Sequence, residues 1–150
     1  MPMSQDRIEK KIVLKAPRSR VWKALSDSDE FGRWFGVKLE SPFAAGARVQ
    51  GQITSKGYEH VKMDMIIERI EPERLLSYRW HPYAIEPGVD YSGESTTLVE
   101  FTLAEVPGGT ELTVIESGFD RIPAARRAEA FRMNENGWAA QLRNIERHVS

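Results

Sequence analysis

The chain contains no cysteine. Disulfides, thiolate metal ligands and cysteine nucleophiles are therefore excluded together. No apolar run approaches the ~20 residues needed to cross a bilayer as a helix. The N-terminal stretch carries Asp6, Arg7, Glu9, Lys10 and Lys11 where a signal peptide would place its apolar core. A formal net charge of −1 leaves no global attraction to nucleic acid or to an anionic membrane. The histidines are His60, His81 and His148, with no two at ligand spacing and no HExxH, so no metal site is expected. Gly-x-Ser-x-Gly, P-loop and dinucleotide fingerprints are also missing, which removes the main hydrolase, NTPase and dehydrogenase readings and gives no reason to expect a cofactor. Without repeats, low-complexity tracts or a long linker, the 150 residues are expected to form one domain, residues 1–150, with a real core. A cytoplasmic monomer or small oligomer, such as a homodimer, is the default.

What is present is a strong ending. Residues 123–149 read as one long amphipathic helix, with Phe131, Trp138, Leu142, Ile145 and Val149 on one face. Gly137 lies inside it, where glycine costs about 1 kcal/mol relative to alanine. Close approach of sheet or ligand beside Trp138 would explain it. Upstream, residues 8–14 suit a first strand, and Pro17 suits the start of a short helix burying Val21, Trp22 and Leu25. Ser28, followed by Asp29 and Glu30, signals the cap of a second short helix carrying Phe31, Trp34 and Phe35.

Beyond Pro42 the pattern becomes alternating. Strands are expected over residues 47–55, 61–68, 76–80, 99–103 and 112–116, with a hairpin turn at Lys56-Gly57. Residues 83–95, containing Pro87, Gly88 and Gly93, read as a mobile connection. Sequential strands with short turns favour an antiparallel meander, and helices grouped at the ends make the class α+β.

Several motifs then converge. Ala16-Pro17 with Val21-Trp22-Lys23-Ala24-Leu25, followed by Trp34, resembles the opening of the START/Bet v 1-like (SRPBCC) superfamily. Ile70-Glu71-Pro72-Glu73-Arg74-Leu75, Gly108-Gly109-Thr110-Glu111-Leu112, Glu116-Ser117-Gly118-Phe119 and Gly137-Trp138 extend the resemblance over nearly the whole chain. Within the superfamily it is most similar to the branch named for the C-terminal domain of the activator of Hsp90 ATPase. The resemblance implies a helix-grip (Bet v 1-like) fold: a curved antiparallel sheet of about six strands around the long C-terminal helix, with two short helices after the first strand. It also implies a cavity between sheet and helix for a small hydrophobic molecule such as a lipid, polyketide or aromatic metabolite. Members include carriers and enzymes of the cyclase or hydrolase kind. An Hsp90-type chaperone partner is the less favoured expectation, because eukaryotic activators carry a further N-terminal domain for which residues 1–150 leave no room.

By strand phase, Met63, Met65, Tyr78, Trp80, Val99, Phe101 and Val114 should face the long helix, answered by Phe131, Trp138 and Leu142. Trp34, Met63, Met65, Tyr78, Trp80, Phe101, Glu116, Phe131, Trp138 and Leu142 make up the candidate ligand-binding set; the same side chains could equally be plain core. Glu116 shares its phase with Leu112 and Val114, so unbroken alternation turns its carboxylate inward. Glu135 lies near the helix stripe. Either could anchor a ligand hydroxyl or act as a general acid/base; a bend near Gly118 would instead let Glu116 reach solvent or an arginine. His81 could sit at a pocket mouth or on the surface. The arginines crowding the C-terminal segment, Arg126, Arg127, Arg132, Arg143 and Arg147 among them, read as a solvated face rather than a nucleic-acid patch. Tyr83 and Tyr91 would place the 83–95 segment over a pocket entrance as a lid. Three functions remain open: a carrier or sensor of a hydrophobic molecule, a cofactor-independent cyclase or hydratase with Tyr78 as orienter, and a protein-interaction role.

Overall fold

The computed structural model describes residues 7–82, 93 and 95–149. The chain runs β1 (Arg7–Leu14), α1 (Arg18–Ser26), α2 (Ser28–Phe35), β2 (Val37–Leu39), β3 (Arg48–Ile53), β4 (Lys62–Glu71), β5 (Leu75–Trp80), β6 (Thr97–Val106), β7 (Gly109–Ser117), a 3-10 turn (Phe119–Arg121) and α3 (Ala124–Val149). The seven strands form one sheet in the order β1-β7-β6-β5-β4-β3-β2. Every neighbouring pair is antiparallel. This is the α+β helix-grip arrangement, with one strand beyond the six visible as alternation. The addition is β2, whose three residues are too few to show a period. Among the described residues no helix is long and apolar enough to cross a membrane. The expected mobile connection with its lid tyrosines, Tyr83 and Tyr91, falls outside the described residues apart from Gly93 and Ser95.

Local chemistry explains where the elements start and stop. Pro17 precedes α1 in an extended conformation, and its carbonyl accepts from Arg20 and Val21. The second helix is capped by Asp27 rather than Ser28: the Asp27 carboxylate accepts from the backbone N–H groups of Asp29 and Glu30. Asp satisfies two otherwise orphaned donors from just outside the helix, leaving Ser28 as its first residue. Gly36, at φ 91°, closes α2 in the left-handed region that a side chain would disfavour. The β3–β4 connection is longer than the tight hairpin expected at Lys56-Gly57. It makes two turns, Tyr58 N–H to Ser55 O and Val61 N–H to Tyr58 O.

One face of the sheet is apolar. Ile8 and Leu14 of β1, Met63, Met65 and Ile67 of β4, Val99, Phe101 and Leu103 of β6, and Leu112 and Val114 of β7 are all buried. On β1 the intervening Arg7, Glu9, Lys11 and Val13 face outward or are only half-covered. A bulge between Ile67 and Arg69 shifts the β4–β5 register. It sets Trp80 opposite Met65 and Tyr78 opposite Ile67.

The long helix covers that face. Its buried residues are Ala130, Asn134, Trp138, Leu142, Ile145 and Val149. Phe131, expected on the stripe, sits half-buried on its flank because the 3-10 turn brings Phe119 edge-on to it at 5.2 Å. A polar residue, Asn134, occupies the buried row instead. The α3 backbone makes its main close approaches to β1, α1, α2 and the 3-10 turn. Toward the central strands large side chains span the distance: Trp138 meets Phe101 at 5.6 Å and Trp80 at 5.7 Å between ring centroids. The C-terminal end of α3 is tied to both short helices through buried Glu30, which accepts from Arg20 at 2.6 Å and contacts His148 at 2.8 Å. Burial opposes the charge on Glu30, but His148 and Arg20 outweigh it and hold the carboxyl below its ordinary range.

The β6–β7 turn leads directly into a close approach. At Gly109 a Cβ would lie 2.0 Å from the carbonyl oxygen of Leu14, so β1 and β7 cannot keep their register around any side chain there. Gly109→Ala is expected to lower stability by about 1–3 kcal/mol through this backbone clash, measured as a reduced midpoint in urea unfolding. An unchanged midpoint would mean that the β1 end is free to move.

Candidate functional site

A cavity of about 320 Å³ lies where α3 diverges from the sheet. Phe35 at the end of α2 forms one wall, with Met133, Gly137, Trp138 and Gln141 of α3 beside it. Met63 and Asp64 of β4 and Trp80 at the end of β5 line the sheet side, continued by His81 and Pro82. The unexpectedly long β3–β4 connection supplies Ser55, Tyr58 and Val61. Its lining therefore comes from segments more than a hundred residues apart in sequence.

Of the candidate binding residues, Met63, Trp80 and Trp138 border this space. Met65, Tyr78 and Phe101 are buried in the packed core, Trp34 donates its indole N–H to Ala24 O, and Leu142 packs further along α3. Phe131 is on the flank already described. Glu135 is half-buried and outside the lining. His81 does line the cavity. Phe35, Tyr58, Met133, Asn134 and Gln141 also line it and were not legible as site residues. Asn134 had one available signal: it stands four residues before Trp138, in the same i, i+4 row as Leu142. Gly137 has a spatial explanation, but not close approach of the sheet. A Cβ there would meet nothing within 4 Å beyond the helix's own backbone, and the residue faces the cavity.

Behind the wall lies Glu116, fully buried on β7. The strand alternation continues unbroken to it, opposite Val99 on β6 and Ile8 on β1. Four neutral side chains converge on the carboxylate. Trp80 Nε1 donates to Oε2 at 2.8 Å and Trp138 Nε1 donates to Oε1 at 2.8 Å. Asn134 Nδ2 donates to both oxygens at 2.9 and 3.1 Å, and the Thr97 hydroxyl donates to Oε2. No lysine, arginine or histidine is among these partners. Burial raises the Glu116 carboxyl above its ordinary value, and the donors from Thr97, Trp80, Trp138 and Asn134 pull partly the other way. The indoles and the Asn134 amide nitrogen can only donate. Thr97 Oγ1 can reverse its role without moving, and Asn134 by turning over its amide, so a proton taken up by Glu116 has an acceptor available from either.

Tyr78 contributes no orienting bond to this cluster. Its hydroxyl is buried without a hydrogen-bond partner in the described structure. Desolvation first, and the Glu116 charge second, push its ionisation well above the ordinary phenol value. Asp64, at the cavity edge, is held below the usual carboxylate range chiefly by Arg48, which bonds both of its oxygens. Among the described residues no group of three His, Asp or Glu side chains is arranged to hold a metal ion.

Three outcomes follow from this geometry. Because burial raises the Glu116 carboxyl above its ordinary value in the folded chain, its contribution to stability is fully present below the ordinary carboxylate range and is lost as pH rises through the raised value. The stability of the native chain should therefore fall relative to Glu116→Gln as pH rises above about 4 in urea titrations, since the amide does not titrate. A constant difference would refute the raised pKa. Glu116→Ala should cost about 2–5 kcal/mol near pH 4, by stranding its buried donors, and less as pH rises. Conversely, Gly137→Ala should raise stability by about 1 kcal/mol, read as a higher melting temperature, because its methyl enters open space.

Solved structures with the same architecture place this arrangement in context. Protein MLL2253 from Mesorhizobium loti is 23% identical over 95% of this chain and 96% of its own, with a TM-score of 0.75. DynU16, from the dynemicin biosynthetic locus, is 26% identical with a TM-score of 0.73; the match covers 96% of this chain and 47% of that one. The Aha1 dimer from Colwellia psychrerythraea superposes with a TM-score of 0.70 at 15% identity over 95% of each chain. A search of curated proteins finds no match. Residues 15–150 match the family described as Activator of Hsp90 ATPase homolog 1-like protein, and the chain belongs to that family.

Proposed function

We propose that this protein binds a small, largely hydrophobic molecule in the cavity between α3 and the sheet. The observation that carries the reading is the treatment of the two indoles. Trp80 and Trp138 border the cavity while both of their N–H groups are turned away to Glu116. Their polar edges are satisfied inside the protein, so they offer a ligand carbon surface alone. Phe35, Met63 and Met133 add apolar surface, and methionine adapts to irregular shapes. A few polar groups at the edge, from Ser55, Tyr58, Asp64, His81 and Gln141, can select orientation. The family fold is one commonly used for ligand binding, which agrees with this reading.

The same geometry weighs against the cyclase or hydratase alternative. Glu116 does not border the cavity, and both its oxygens are occupied by donors. It acts as a positioning residue for the wall. Burying about 300 Å² of ligand apolar surface is worth roughly 7 kcal/mol gross. Association costs of several kcal/mol reduce that to roughly millimolar binding, so tighter affinity depends on polar contacts at the cavity edge.

Native mass spectrometry of gently purified protein, with organic extraction of anything released, tests the reading. A bound small molecule is expected, and Gly137→Leu should abolish it while keeping the native circular dichroism spectrum, because the new side chain fills the cavity. Retention of the molecule by the folded Gly137→Leu protein would place its binding elsewhere.

A further inference from the structure

Glu116 is a buried carboxylate whose partners are all neutral. A carboxylate in such a place ordinarily acquires a cationic partner, because neutral donors replace the hydration but not the countercharge. Here no protein cation occupies that role among the described residues around it. What separates the carboxylate from the cavity is the Trp80–Trp138 wall, whose rings lie 5.7 Å apart at 30°. Phe35 meets them at 6.0 and 6.2 Å, inclined by 62° and 63°. The cavity thus has three differently oriented aromatic rings on one side.

These features reinforce one another. An aromatic face attracts a cation through its quadrupole, most strongly for tryptophan and more so when water is excluded. An indole N–H donating to a carboxylate carries extra electron density in its ring, and both cavity indoles are in that state. The Glu116 charge also acts through the low-dielectric core, where Coulomb attraction is weakly attenuated. Among the described lining residues Lys62 is the one lysine or arginine, and it is solvent-exposed, so water and salt screen it. Asp64 is neutralised by Arg48 outside the lining.

Resting on the ligand-binding reading above, we propose that the cavity selects an organic cation: a protonated or quaternary nitrogen on a flat apolar body, with its charge seated against Phe35, Trp80 and Trp138 and countered through the wall by Glu116. The indoles supply the contact and the carboxylate supplies the charge. Glu116 is then a specificity-determining positioning residue that never touches the ligand. The uncompensated carboxylate, which is a cost to the empty fold, becomes part of the recognition.

Three probes with one two-ring skeleton separate the possibilities: N-methylquinolinium, 1-methylnaphthalene and 1-naphthoate. Their binding to the intact chain can be followed by tryptophan fluorescence quenching at low and at physiological ionic strength. The expected result is that the cation binds at least about tenfold more tightly than the anion, with the preference surviving added salt. In Glu116→Gln that ratio should fall several-fold. Should Glu116→Gln fail to fold, the cation–anion ratio in the native chain decides alone. Equal binding of cation and anion, or tighter binding of the anion, overturns this inference and leaves the hydrophobic cavity standing if 1-methylnaphthalene binds. Failure of all three probes overturns both readings.

Discussion

The buried carboxylate of Glu116 is the constraint around which this structure is organised. One side chain on β7 receives donors from β5, β6 and α3, so it fixes the helix against the sheet at the point where their backbones stand apart. Apolar packing alone is non-directional and would let α3 slide or roll on the sheet. Hydrogen bonds to a desolvated charge have strict geometry and are strong when satisfied. They specify the position of Trp138, and with it the shape of the cavity wall. The cost is a charge in the interior, partly offset by four donors and visible as the raised carboxyl pKa.

This arrangement links stability to recognition. The side chains that hold Glu116 are also the lining: Trp80, Asn134 and Trp138 belong to both sets. Beside them, α2 brings in Phe35, and the Arg20–Glu30–His148 junction fastens the short helices to the end of α3. The cavity is therefore bounded by elements anchored at the middle and at the C-terminal end of the long helix. Gly137 keeps the space between the anchors open, at a known cost in helix propensity. Such a combination is intelligible if the space is for a ligand and hard to rationalise as packing.

Much of the fold was legible because burial patterns repeat along an element. Alternation on β1, β4, β6 and β7 showed which side chains turn inward, including Glu116, and the 3.6-residue period of α3 marked Trp138, Leu142, Ile145 and Val149. Less visible were features without a period. β2 has three residues, and the β3–β4 connection forms turns that bring Tyr58 to the cavity. Asn134 stands in the buried row of α3 and is one of the residues that meet Glu116. A polar residue on an apolar row cannot be interpreted until its partner is known.

By itself the sequence determined the α+β class, the order of the elements and a strand phase that turns the carboxylate inward if it runs unbroken, since each depends on local propensity and periodicity. Only the tertiary structure decided what that carboxylate meets and where empty space remains. Donors drawn from residues 80, 97, 134 and 138 converge on residue 116 through strand register and helix placement. Those depend on how all the faces fit together at once. Periodicity tells a face that it will be covered; the covering partner is chosen by the whole fold.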